Sequence, residues 1–213
     1  MTRSDLTHIY FLLDRSGSMQ SIKSDTEEGF AAFVDEQRRA PGECRVTLAR
    51  FDHQYDVVYT DLPVAQVPPL DLQPRGRTAL LDAMGRLVTD AGAALAARPE
   101  HDRPGTVIVA VMTDGLENAS VEWTHAAIKS LVEQQSTQYS WQFLYMGADQ
   151  DAIEVGTSLG VDARHSVTYG RGRSREALAG AAGKISKLRS ARRADPAAAM
   201  EGYTDAERAR LAD

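Results

Sequence analysis

The strongest constraint on the fold is an apolar run that stops on an acid. Ile9-Tyr10-Phe11-Leu12-Leu13 leads directly into Asp14-Arg15-Ser16-Gly17-Ser18. A strand with one wet face would alternate apolar and polar residues. An unbroken run predicts a strand covered on both faces, as in a parallel sheet. Asp14, Ser16 and Ser18 then bring three oxygen-bearing side chains to one turn at the strand's C-terminal end. Gly17 lets that turn bend sharply. Such a turn suits a hard cation such as Mg²⁺, which takes oxygen ligands and keeps water. It also suits the N-cap of a following helix, and the stretch alone leaves both readings open.

The rest of the chain repeats the theme. Phe30, Phe33 and Val34 lie at helical spacing within 21–39, and Ala40-Pro41-Gly42 stops that helix. Residues 45–51 and 55–60 read as two strands joined by Asp52-His53-Gln54, an antiparallel hairpin at a sheet edge. Pro63, Pro68, Pro69 and Pro74 make 61–77 irregular. A helix then runs to about Ala97, with Thr78 at its N-cap position. Thr106–Met112 is a second buried strand, ending in Thr113-Asp114-Gly115. A helix over 121–135, a strand over 141–146, a short helix near 150–159 and an edge strand at 166–169 follow. Helices alternating with apolar strands predict an α/β fold: a doubly wound, mostly parallel sheet with one antiparallel edge strand and helices on both faces. Ligands of such sheets bind beyond the strands' C-terminal ends, where strand order reverses.

Charge is segregated. The net charge of −6 divides into −10 over residues 1–170, +7 over 171–193 and −3 over 194–213. The basic segment carries Leu178, Ala181, Ile185 and Leu188 on one stripe, so it reads as an amphipathic closing helix docked on the acidic body. One domain is expected over 6–193. Residues 194–213 are expected as a flexible tail, with Met200, Tyr203 and Leu211 as few anchors. Thr204 and Glu207 are spaced as a capping box. No apolar stretch reaches the length of a membrane span, and no apolar signal region follows Met1 to Asp5. A cytoplasmic protein with no membrane and no nucleic-acid partner is expected. Cys44 is the lone cysteine and reads as a buried structural thiol.

Asp14-x-Ser16-x-Ser18 and Thr113-Asp114-Gly115 follow buried strands, and Gly76-Arg77-Thr78 opens a later helix. Together they resemble the von Willebrand factor type A domain and its metal-ion-dependent adhesion site, in a bacterial-type intracellular member. The resemblance covers roughly residues 6–170. It implies that Ser16 and Ser18 are direct hydroxyl ligands, that Thr78 joins according to conformation, and that Asp14 and Asp114 bind mainly through water. It implies Mg²⁺, with Mn²⁺ or Ca²⁺ as alternatives of the same oxygen preference. It also implies a protein partner whose Glu or Asp carboxylate completes the ion's shell.

Other roles are weaker. Glu117, Asn118 and Asp149 read as rim or turn residues, and the five histidines lack ligand spacing. A haloacid-dehalogenase-type phosphatase would need a second Asp where Ser16 stands, and no Walker loop, nucleophile elbow or His-Glu-x-x-His occurs. The expectation is therefore a binding module with no catalytic residue. An adaptor subunit of an ATP-driven remodelling or metal-chelation complex is the alternative, and a metal-dependent hydrolase the least favoured.

Overall fold

The computed structural model describes residues 2–212. A sheet of six strands among these residues has β1 (Arg3–Asp14) at its centre. On one side lie β2 (Glu43–Phe51) and the edge strand β3 (Tyr55–Pro63). On the other lie β4 (Pro104–Thr113), β5 (Gln142–Ala148) and β6 (Ser166–Tyr169). Every pairing is parallel except β2 with β3, the expected antiparallel edge. The chain leaves β1 for β2 and β3, then returns to β4 on β1's other side. Strand order therefore reverses between β1 and β4.

The pleat of β1 sorts its run between two cores. Ile9, Phe11 and Leu13 face α1 (Lys23–Arg39) and α5 (Ser174–Ala194). Tyr10 and Leu12 face α2 (Leu80–Ala96) and α3 (His125–Tyr139). The stripe read in α1 meets the strand directly: Phe30 and Phe33 stand edge-on to Phe11 at 5.2 and 5.4 Å. Gly29 lets α5 approach, since a Cβ there would lie 2.8 Å from Leu178 Cδ1. A 3-10 turn over Gly17–Ile22 joins β1 to α1, and the short α4 (Ala152–Ser158) lies beside β6.

The basic segment is consumed by the body. Leu178, Ile185 and Leu188 of α5 are buried, and Arg175 pairs with Glu28 of α1 at 3.1 Å. The segment beyond departs from the expected flexible tail. Thr204 and Glu207 form the capping box of α6 (Asp205–Ala212), with Thr204 N donating to Glu207 Oε2 at 2.7 Å and Glu207 N to Thr204 Oγ1 at 3.2 Å. Met200, Tyr203 and Leu211 are buried in the α5-side core, and Lys184 reaches Glu207 at 3.0 Å. Three anchors suffice because each enters the core fully.

Candidate metal centre

The register of the sheet brings the site together. Leu13 pairs with Met112, so Asp14 and Thr113 end adjacent strands side by side at the reversal point. Asp14 is fully buried. Its Oδ1 accepts from Ser16 N and its Oδ2 from Thr113 Oγ1, both at 2.6 Å. Burial pushes its carboxyl up to about 6, against the lowering effect of those two hydrogen bonds. Ser18 Oγ donates to Asp114 Oδ1 at 2.6 Å and lies 3.1 Å from Ser16 Oγ. Burial also raises Asp114 above the usual carboxylate range. Its second oxygen, Oδ2, is buried with no hydrogen-bond partner.

The capping readings do not account for the hydroxyls. Ser16 precedes the 3-10 turn but makes no side-chain cap bond. The N-cap position of α2 is Ala79, one residue after Thr78, and no side-chain cap bond forms there. Thr78 Oγ1 turns instead toward the serines. A Cβ placed on Gly115 would meet Thr78 Oγ1 at 3.0 Å, Ser18 Oγ at 3.7 Å and Ser16 Oγ at 3.8 Å. Three hydroxyl oxygens thus converge on one point, and a side chain at 115 would fill it. Among the described residues no group of three or more His, Cys, Asp and Glu gathers around an ion. The donor set here is two carboxylates and three hydroxyls, all oxygen, which suits a hard cation. An ion would also satisfy the orphaned Asp114 Oδ2 and favour the ionised form of both carboxylates.

Two sets of polar residues hold the loops. The first centres on Asp52, which is fully buried. Its Oδ2 accepts from Arg15 Nε at 3.1 Å and Arg75 Nε at 2.8 Å, and its Oδ1 from Gln54 N at 2.6 Å. Burial works to raise its carboxyl, but these donors outweigh it and the net shift is downward. The backbone follows the same line: Arg75 N donates to Arg15 O at 2.7 Å, Gly17 N to Gly76 O at 3.2 Å and Ala79 N to Asp52 O at 2.8 Å. The serine loop and the threonine loop are thereby fastened to each other.

The second set fastens the loop after β4 to the start of α2. Glu117 accepts from Leu81 N at 2.9 Å, Ala119 N at 2.8 Å and Ser120 N at 2.7 Å. Asp82 accepts from Val121 N, Glu122 N and Trp123 N at 2.8, 2.9 and 2.8 Å. Asn118 brackets Thr78, accepting from its N–H at 3.0 Å and donating its own N–H to Thr78 O at 2.9 Å. The rim residues Glu117 and Asn118 therefore hold loops together. Asp149 pairs with Arg171 at 2.9 Å, as a turn residue with φ of 47°.

No family model matches the sequence, and no curated protein matches it. Solved structures do match. One is von Willebrand factor type A from Catenulispora acidiphila, at 16% identity over 84% of this chain and 42% of that one, TM-score 0.58. Another is the vWF domain of the type V pili tip protein Mfa5 from Porphyromonas gingivalis, at 12% identity over 84% and 94%, TM-score 0.57. A third is proximal thread matrix protein 1 from the mussel byssus with a zinc-occupied MIDAS motif, at 15% identity over 85% and 45%, TM-score 0.58. This chain spans less than half the length of the Catenulispora and byssus chains. At such identities the likeness is one of fold: the chain has the von Willebrand factor type A fold.

Proposed function

Taking that fold as the premise, we propose that this chain is a binding module that recognises an acidic side chain of a protein partner through a divalent metal ion. The observation that carries the reading is the convergence of the Ser16, Ser18 and Thr78 hydroxyls beside Asp14 and Asp114 at the sheet's reversal point. In this reading Ser16 and Ser18 bind the ion directly. Asp14 and Asp114 balance its charge, mainly through water, and Thr78 joins when the partner does. Hydroxyls withdraw little of the ion's field, so the open side toward solvent attracts a carboxylate. The all-oxygen donor set favours Mg²⁺, with Mn²⁺ and Ca²⁺ as alternatives, and the setting proposed is the cytoplasm. Among the described residues no helix is long and apolar enough to cross a membrane. The reading needs no chemical step and assigns no catalytic residue.

The test is affinity capture of partners by the native protein and by Asp14→Ala, each in Mg²⁺ and in EDTA. Partners held by the native protein in Mg²⁺ alone support the proposal. The same partners held in EDTA, or by Asp14→Ala, refute it.

A further inference from the structure

We infer that the recognition surface extends from the ion to Arg77 and Leu116, and that the ligand is an acidic protein segment. Beside the metal-bound carboxylate it carries an apolar side chain and a second carboxylate. The inference rests on the metal-dependent reading above and specifies its partner.

Arg77 is the first observation. It is exposed, adjoins Thr78, and among the described residues makes no hydrogen bond or ion pair. Other arginines at this end of the sheet are engaged: Arg15 and Arg75 with Asp52, Arg171 with Asp149, and Arg173 with Glu176. The backbone on both sides of Arg77 is fixed, at Gly76 O by Gly17 N and at Thr78 N by Asn118. A free cation is therefore tethered beside the candidate metal centre.

Leu116 is the second. It follows Gly115, the residue on which the three hydroxyls converge, yet it is 61% exposed, and Val121 on the same loop is 90% exposed. A lone exposed leucine needs no explanation. This one sits on a loop that Glu117 and Asp82 hold rigidly through backbone N–H groups. The loop's other large apolar residue, Trp123, is folded in against Gly85. A rigid apolar contact loses little conformational freedom on binding and can serve as an anchor. Charge complementarity selects the occupant. The ion and Arg77 both attract carboxylates, and the exposed Leu116, adjoining Gly115, offers the apolar contact.

The experiment selects a displayed peptide library, with one fixed glutamate and random flanks, on the full chain in Mg²⁺ and again in EDTA. Recovered peptides are then titrated onto the native protein, Arg77→Glu and Leu116→Ser by fluorescence polarisation. The expected peptides bind only with Mg²⁺ and carry an apolar and a second acidic residue near the fixed glutamate. Arg77→Glu should weaken them about tenfold, and a peptide with lysine in place of the second acid should restore binding to that variant. Leu116→Ser should weaken them about fivefold with Mg²⁺ affinity unchanged. Mg²⁺-dependent peptides without that preference, bound equally by both variants, would overturn this inference and leave the metal-dependent reading standing. Recovery of no EDTA-sensitive peptide would overturn both.

Discussion

The two ends of the sheet gather their buried polar groups differently. At the N-terminal end of β1 and β2, Arg189 of α5 is buried and donates five hydrogen bonds to Gln37, Ala40, Pro41 and Gly42. Arg192 donates to Ala198 O at 3.0 Å, and Lys184 to Gly202 O at 2.9 Å. These cations are absorbed by carbonyls of the same chain. At the C-terminal end, Asp114 keeps a buried oxygen with no partner, and hydroxyls of Ser16, Ser18 and Thr78 face one another around an open point. Unpartnered buried atoms occur at both ends, Arg189 Nε, His8 Nδ1 and Asp61 Oδ1 at the first and Asp114 Oδ2 at the second, but only at the second does one lie beside three converging hydroxyls. The coincidence of an unmet carboxylate oxygen with converging hydroxyls, and not an unmet atom alone, marks the candidate site.

Breaking the absorbed end should give the largest loss of stability. Arg189→Ala would strand the carbonyls of Gln37 and Gly42, and a loss of about 3 kcal/mol is expected in urea unfolding. Mg²⁺ affinity under native conditions should be unchanged, because the substitution lies at the far end of the sheet.

Asp52→Ala tests whether the belt around the site is scaffold or site. It leaves the buried Arg15 with only the half-exposed Asp56 at 3.3 Å as a carboxylate partner, with an expected cost of about 2 kcal/mol. It also removes the side-chain tie between the threonine and serine loops and leaves only their backbone bonds, so Mg²⁺ affinity should fall by about tenfold. Loss of stability with metal affinity intact would make Asp52 purely structural.

This belt shows where sequence reading stops. The apolar run ending at Asp14 marks the central strand, and Asp14-x-Ser16-x-Ser18 with Thr113-Asp114-Gly115 marks both carboxylates of the candidate site. Their legibility is physical: each is local, a strand end and the turn after it. Thr78 was legible only as cap or ligand, since both need a hydroxyl before a helix. In the structure the N-cap position of α2 falls at Ala79, with no side-chain cap bond. Asp52 reads as a turn residue, for nothing local says that Arg15 and Arg75 will meet there. Glu117 looked like a rim residue because its partners include Leu81, far off in the sequence. The tail reads as flexible from its few apolar residues, whereas in the structure Tyr203 and Leu211 each enter the core.

A smaller effect sharpens the contrast at the lower end through pH. His8 is buried, its Nε2 lies 2.9 Å from Thr47 Oγ1, and it stacks on Tyr10 at 4.1 Å. Burial, helped by the positive charges of Arg98 and Arg45, lowers its pKa from 6.5 to about 3. Above pH 6.5 it is neutral in both folded and unfolded chains and adds no pH dependence. As pH falls below that, the unfolded chain takes up a proton that the native state refuses until about 3. Stability should therefore fall with pH in this window, by up to about 1.4 kcal/mol per unit from His8. Urea unfolding of the native protein and His8→Gln between pH 7 and about 5 should show the difference in slope. Equal slopes would remove His8 as the cause.

The most direct test of the candidate metal centre is calorimetric titration of Mg²⁺ into the native protein and into Asp114→Asn, with thermal unfolding of each in EDTA. Burial strains the ionised Asp114 in the absence of a cation, so the neutral amide should leave the metal-free fold as stable as the native protein or more so. The expected result is Mg²⁺ binding by the native protein, weakened at least about tenfold in the variant, with no loss of metal-free stability. Equal Mg²⁺ affinity in the two proteins, or no binding by either, would contradict it.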